Sequence, residues 1–146
     1  MHHFPSREAL IRELGIASFA WFREAVAERV DLSENAPGKL LRAYVRAVCD
    51  LVADDRDPGT SLSLWLALST EPSIAALLTD DIDYWDRELA LDGLDTATIT
   101  AVQMAADGIN VMAVVAPDRA RSRVATLRRT LLERTMTAEG GIGPVA

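Results

Sequence analysis

Ser6-Arg7-Glu8-Ala9-Leu10-Ile11-Arg12-Glu13-Leu14-Gly15-Ile16-Ala17-Ser18-Phe19-Ala20-Trp21-Phe22-Arg23-Glu24-Ala25-Val26-Ala27-Glu28-Arg29-Val30 decides the fold class. Leu10, Leu14, Ala17, Trp21 and Ala25 recur at intervals of three and four, with Ile11, Phe22 and Val26 widening the stripe. That period lines one face of an α-helix, whereas a strand would alternate at every second residue. Ser6 is the expected N-cap, with Pro5 before it and Arg7 and Glu8 in the first turn. The helix should run to about residue 30, and Gly15 is where a bend is expected. Ser33, Asn35, Pro37 and Gly38 then form a breaker cluster.

The helical period continues to the end of the chain. A second helix is expected over 37–53, with Leu41, Tyr44, Val48 and Leu51 facing inward. The acidic 54–59 stretch reads as a loop. Ser61 caps a short third helix through 69 that carries Trp65, and Pro72 suits the first turn of the next. The fourth, over 73–91, turns Ile74, Leu78, Ile82, Trp85 and Leu89 inward and Asp80, Asp83, Asp86 and Arg87 outward. Asp92-Gly93 stops it. Asp95 or Thr96 caps a fifth helix to about 115, and Pro117-Asp118 opens a sixth that ends near 135. No strand pattern or internal repeat occurs. The expected fold is therefore all-α, a bundle of about six helices over 6–136, with a junction at 1–5 and a disordered tail at 137–146.

Composition sets outer limits. A chain of 146 residues with 49% hydrophobic content builds one continuous core. Its net charge of -7 repels phosphate backbones, so this chain alone is a poor nucleic-acid ligand. No unbroken apolar run long enough to span a bilayer is present, and the N-terminus does not read as a signal peptide. The single cysteine, Cys49, forms no internal disulfide, which fits a reducing cytoplasm.

Candidate chemistry is sparse. Asp80, Asp83 and Asp86 share a helix face, but no histidine lies near them, and a solvated face explains them; no metal or other cofactor is expected. Both histidines fall in the first three residues, so neither a Ser–His–Asp arrangement nor an activated Cys49 is expected. No catalytic residue is assigned. Aromatic residues with polar tips often line cavities, and Gln103, Asp107 and Asn110 interrupt the otherwise apolar fifth helix. Trp21, Tyr44, Trp65, Trp85 and Asn110 are the candidate ligand-binding residues, although ordinary core packing accounts for the aromatics nearly as well.

The last two helices carry a second candidate surface. Ala105, Gly108 and Met112 on the fifth, with Val124, Leu127 and Leu131 on the sixth, can pair with the same helices of a copy in a four-helix, two-fold interface. They can equally complete the protomer's own core. On the interface reading Leu127→Arg yields a monomer or insoluble protein. Arg119, Arg121, Arg123, Arg128, Arg129 and Arg134 make the sixth helix basic, and the acids elsewhere supply partners for them.

His3-Phe4-Pro5-Ser6-Arg7-Glu8-Ala9-Leu10 resembles the junction of TetR-type transcriptional regulators, where a helix-turn-helix head passes into the long connecting helix. Gly38-Lys39-Leu40-Leu41-Arg42-Ala43-Tyr44-Val45 is similar to the family's second body helix. Glu71-Pro72, Gly93-Leu94-Asp95, Ala105-Ala106-Asp107-Gly108 and Ala116-Pro117-Asp118 follow in family order. The resemblance implies a helical body that binds a small, apolar effector and forms a homodimer through its last two helices. It also implies a repressor whose effector tilts the connecting helix and so respaces two DNA-reading heads. DNA would be bound only through the helix-turn-helix, which this sequence lacks, and no membrane is involved. A helical dimerisation module without a ligand and an uncharacterised helical enzyme are the rival readings.

Overall fold

The computed structural model describes residues 6–54, 66 and 69–137. They form five helices: α1 (Arg7–Ala27), α2 (Lys39–Ala53), α3 (Pro72–Ala90), α4 (Thr96–Val115) and α5 (Pro117–Thr137). No strand occurs among the described residues. The expected third helix, with Trp65, lies outside them apart from Leu66 and Ser69, so a six-helix count is not reached here. Thr137, assigned above to the tail, is the last residue of α5.

Local chemistry places most of the boundaries. Ser6 Oγ accepts from the Ala9 amide at 3.1 Å, which satisfies one of the free N–H groups that open α1. Asp95 does the same for α4, accepting from Thr98 N at 2.9 Å. Pro72 occupies the first turn of α3, where its missing N–H costs nothing. α1 runs unbroken through Gly15 and ends at Ala27, three residues earlier than expected.

α2 is capped from a distance. Its N-cap, Gly38, sits at φ +89° and has no side chain to offer. The Asp92 carboxylate, from the turn between α3 and α4, accepts from Leu40 N at 3.0 Å and Leu41 N at 2.8 Å. Its carbonyl accepts from Gly38 N at 2.8 Å. A residue read as a helix stop therefore ties two turns together. Asp92→Ala is expected to lower stability by about 1–2 kcal/mol, as for other lost caps. Urea unfolding checks this, and a midpoint equal to that of the parent would show that water replaces the carboxylate.

α2 is also the centre of the bundle, with ten of its 15 residues buried. It packs mainly against α4 and α5, with α1 on another side and α3 at the margin. The inward stripe Leu41, Tyr44, Val48 and Leu51 is buried as expected. Arg42 is buried too, at 1% exposure. Its Nε donates to Glu34 Oε2 at 2.7 Å, and its two terminal nitrogens donate to the Pro37 and Ala36 carbonyls. Arg46 holds the other Glu34 oxygen at 2.6 Å.

The inward face of α1 needs correction. Leu10, Leu14 (48% exposed), Ala17 and Trp21 (53% exposed) point outward, and Gly15, Ala25 and Val26 are the buried residues. Ile11, Phe19 and Phe22, half-buried, complete the inward face. Two apolar stripes one residue apart lie side by side on this helix, and the period alone does not choose between them. Phe22 chooses, because its ring meets the edges of Tyr44 and Trp85. On α3, Ile82 is likewise exposed rather than inward, while Ile74, Trp85 and Leu89 are buried.

Candidate functional site

Four helices deliver one aromatic and polar cluster. Tyr44 of α2 and Trp85 of α3 meet edge to face with centroids 5.0 Å apart. Phe22 of α1 stands 5.4 Å from the Tyr44 ring and 5.7 Å from the Trp85 ring, and Tyr84 stands 5.1 Å from Trp85. Into this ring cluster α4 sends two polar side chains one turn apart. The Tyr44 hydroxyl donates to Asp107 Oδ1 at 2.5 Å, and the buried Gln103 side chain, 8% exposed, lies beside it. The half-buried Asp81 of α3 lies near enough to repel both Tyr44 and Asp107. Asp81 is held by Arg23 of α1, whose Nη2 approaches at 2.7 Å and whose guanidinium lies 3.6 Å above the Tyr84 ring.

The electrostatics follow from that geometry. Burial, then the facing Asp107 carboxylate, push the Tyr44 phenol far above its usual range, so it remains a donor. Burial raises the Asp107 carboxyl; the Tyr44 hydrogen bond pulls it back down, and the Asp81 charge adds to the rise. A carboxyl raised by folding adds stability below its unfolded value, and that stability is lost as pH climbs through the folded value. Asp107→Asn keeps an oxygen for Tyr44 and removes the buried charge. It is expected to melt higher than the parent at pH 7, with the gap closing as pH falls toward the ordinary aspartate range of about 3.9. Calorimetry at the two pH values checks this, and a lower melting temperature at pH 7 would refute it.

The structure unites only part of the expected set. Tyr44 and Trp85 touch. Asn110 shares the α4 face of Gln103 and Asp107 but is half-buried and makes no described contact with the rings. Trp21 is elsewhere: with Glu24, Glu28, Asp50 and Asp54 it lines an outer cleft of about 180 Å³. Trp65 lies outside the described residues. Phe22, Arg23, Asp81, Tyr84 and Asp107 were missed as site residues. Gln103, missed too, and Asp107 carried a sequence signal, as two of three polar residues spaced by four and three on an apolar helix, and Tyr84 did as an aromatic with a polar tip.

Cys49 is buried, and burial pushes its thiol up to about 11. Among the described residues no three His, Cys, Asp or Glu side chains converge as a metal site. Of the α5 arginines, Arg128 reaches Asp50 at 2.6 Å, where Arg29 of the loop after α1 also binds, and Arg121 pairs with Asp118. Two of the six α5 arginines, Arg128 and Arg121, thus have a partner on α2 and on α5 itself.

A second surface runs along α4 and α5, which pack side by side after the break at Ala116. Val124 and Leu131 are buried in the protomer's own core, and Ala105, Met112 and Leu127 pack partly against it. Gly108 alone of the six expected interface residues is fully outward, and a Cβ added there meets nothing within 4 Å. Around it lies a different stripe: Ala101, Met104 (57% exposed), Gly108, Val111 and Val115 (79% exposed), at intervals of three and four. On α5 the exposed Ala125 and Met136 and the half-buried Leu132 share one helix face, at spacings of seven and four. α4 is long and apolar enough to cross a bilayer, with a mean hydropathy of 1.4 and only 22% of that stretch buried in the protomer. Its polar Gln103 and Asp107 are engaged with Tyr44 inside the bundle, so its exposed apolar face is the feature that asks for a partner.

Comparison with known proteins gives one family. The family described as tetracyclin repressor-like, C-terminal domain, matches residues 38–136, a span that takes in α2 to α5, Tyr44, Trp85, Asp107 and the outer stripe. Neither a curated protein nor a solved structure matches the chain.

Proposed function

The chain belongs to the tetracyclin repressor-like C-terminal domain family, and we propose that it is the effector-binding and dimerisation body of a TetR-type transcriptional regulator. Its effector would enter at the Phe22, Tyr44, Trp85 and Asp107 cluster, where helices α1 to α4 converge. α1 is the connecting helix of this reading. Arg23 ties it to Asp81 of the same cluster, so a ligand that shifts α3 against α1 would move the helix leading to a DNA-reading head. DNA control, as a cytoplasmic repressor, belongs to a helix-turn-helix outside residues 6–137.

The observation that carries the reading is the exposed stripe on α4 and α5, within the family match. Residues at alternating intervals of three and four form the seam of packed helix pairs, and two such helices against their two-fold copies close a four-helix interface. Sedimentation equilibrium tests it. A dimer is expected at low micromolar concentration, and a monomer at fifty-fold higher concentration would remove the reading.

The rival, a helical dimerisation module with no ligand, has one observation in its favour. The rings of Phe22, Tyr44 and Trp85 already pack edge to face, as a filled core would. A ligand-bound structure with these rings spread apart decides between the two.

A further inference from the structure

We propose that the outward face of α1 is a docking surface for a second copy of this chain, the two α1 helices lying side by side and antiparallel. The surface is separate from the one on α4 and α5. Within the protomer α1 packs against α2 and α3, and its pairing would join α4–α5 dimers two by two.

α1 leaves four apolar side chains outside its own fold. Leu10, Leu14, Ala17 and Trp21 are exposed at intervals of four, three and four. That is the spacing of a two-helix seam, and the helix carries it without a break from Arg7 to Ala27. The buried residues of α1, Gly15, Ala25 and Val26, lie off this row and hold the helix to the bundle. A continuous apolar row on the outside of a helix marks an interaction site, where apolar residues scattered singly would not.

Charge closes the row at both ends. Arg7 stands three residues before Leu10 and Glu24 three residues after Trp21, so both continue the seam. Both are exposed, and neither makes an ion pair with a described residue.

The order of these six residues decides the occupant. Turned end for end, the row meets itself as Arg7 on Glu24, Leu10 on Trp21 and Leu14 on Ala17, each contact made twice about a two-fold axis. Apolar layers face apolar layers, the small Ala17 receives the larger Leu14, and each end closes on an ion pair. Parallel pairing fails the same test, because it sets Arg7 on Arg7 and Glu24 on Glu24. A partner helix of one charge throughout is matched at one end and repelled at the other. Four apolar layers make a small interface, so the contact is weak and depends on concentration.

Sedimentation equilibrium on the intact chain reads this as a doubling of mass between about 5 and about 500 micromolar, whatever the state at the lower concentration. The step is therefore measured independently of the α4–α5 dimer. Arg7→Glu and Glu24→Arg each set like charges together at both ends, and each should raise the dissociation constant of the step about tenfold or more. The double variant carries the two charges exchanged and should recover the parent value to within about threefold. A merely structural role for either residue would not give that recovery. Leu14→Asp should abolish the step and leave the melting temperature unchanged, since Leu14 is exposed in the protomer. Should that variant fail to fold, the charge exchange still decides. No doubling at about 500 micromolar overturns the proposal. A step that neither charge reversal weakens overturns it too, as does a double variant no stronger than the single ones, since either would put another occupant or another register on this face.

Discussion

Gly108→Glu is expected to convert the proposed dimer into a folded monomer. A side chain at this position meets nothing of its own protomer, since a Cβ there has open space around it. Replacing a helical glycine also favours the helix slightly, so the fold should be kept or improved. In the proposed dimer the same side chain enters the apolar seam between Met104 and Val111, and two-fold symmetry places it there twice. Burying unpaired carboxylates costs several kcal/mol, so dissociation should rise about a thousandfold or more. Sedimentation reads the mass, and circular dichroism verifies the helix content. An unchanged dimer would sink the proposed surface. Leu127→Arg, the substitution that the sequence suggests, is the poorer probe. Leu127 packs partly against the protomer's own core, so its loss would damage fold and interface at once.

Arg42→Ala is expected to produce the largest loss of protomer stability, about 3–5 kcal/mol, the range for breaking a buried ion pair from one side. The guanidinium joins Glu34 and two carbonyls of the 36–37 turn, all tucked under the start of α2. Without it those carbonyls lose their donors and Glu34 keeps only Arg46. Glu34 supplies a second readout. Burial raises its carboxyl, but the hydrogen bonds from Arg46 and Arg42 outweigh burial and hold it below the ordinary glutamate range. A carboxyl lowered by folding adds stability above its unfolded value, and this stability is lost as pH falls through the folded value. The parent should therefore lose stability below about pH 4.3, the unperturbed glutamate value, and Arg42→Ala should show a shallower fall there. Urea unfolding at pH 7 and pH 3 measures both effects. A loss under about 1 kcal/mol at pH 7 would mean that water and Arg46 replace Arg42 without strain.

Helix identity, most helix ends and the inward face of α2 were legible in the residues themselves. They depend on interactions across three or four positions, which the order of residues states directly: Ser6 with Ala9, Asp95 with Thr98, Pro72 at a first turn. Family membership was legible too, because the turn and helix motifs from Gly38 to Asp118, which lie within the matched residues, are local strings. Candidate-site residues were legible only in part. Tyr44 and Trp85 stood out as aromatics with polar tips, but Trp21 did so equally, and it points away.

Only the tertiary structure decided which apolar stripe of α1 faces inward, which face of α4 is left uncovered, and what Asp107 does. Tyr44 and Asp107 are 63 residues apart, and the Asp92 cap spans 51 and 52. No period or spacing encodes pairings of that range. The sequence by itself determined an all-helical chain of this family with a polar patch on an apolar helix. Packing determined that the patch closes on Tyr44 through Asp107, because side chains so distant meet only after the helices between them have settled their rotation.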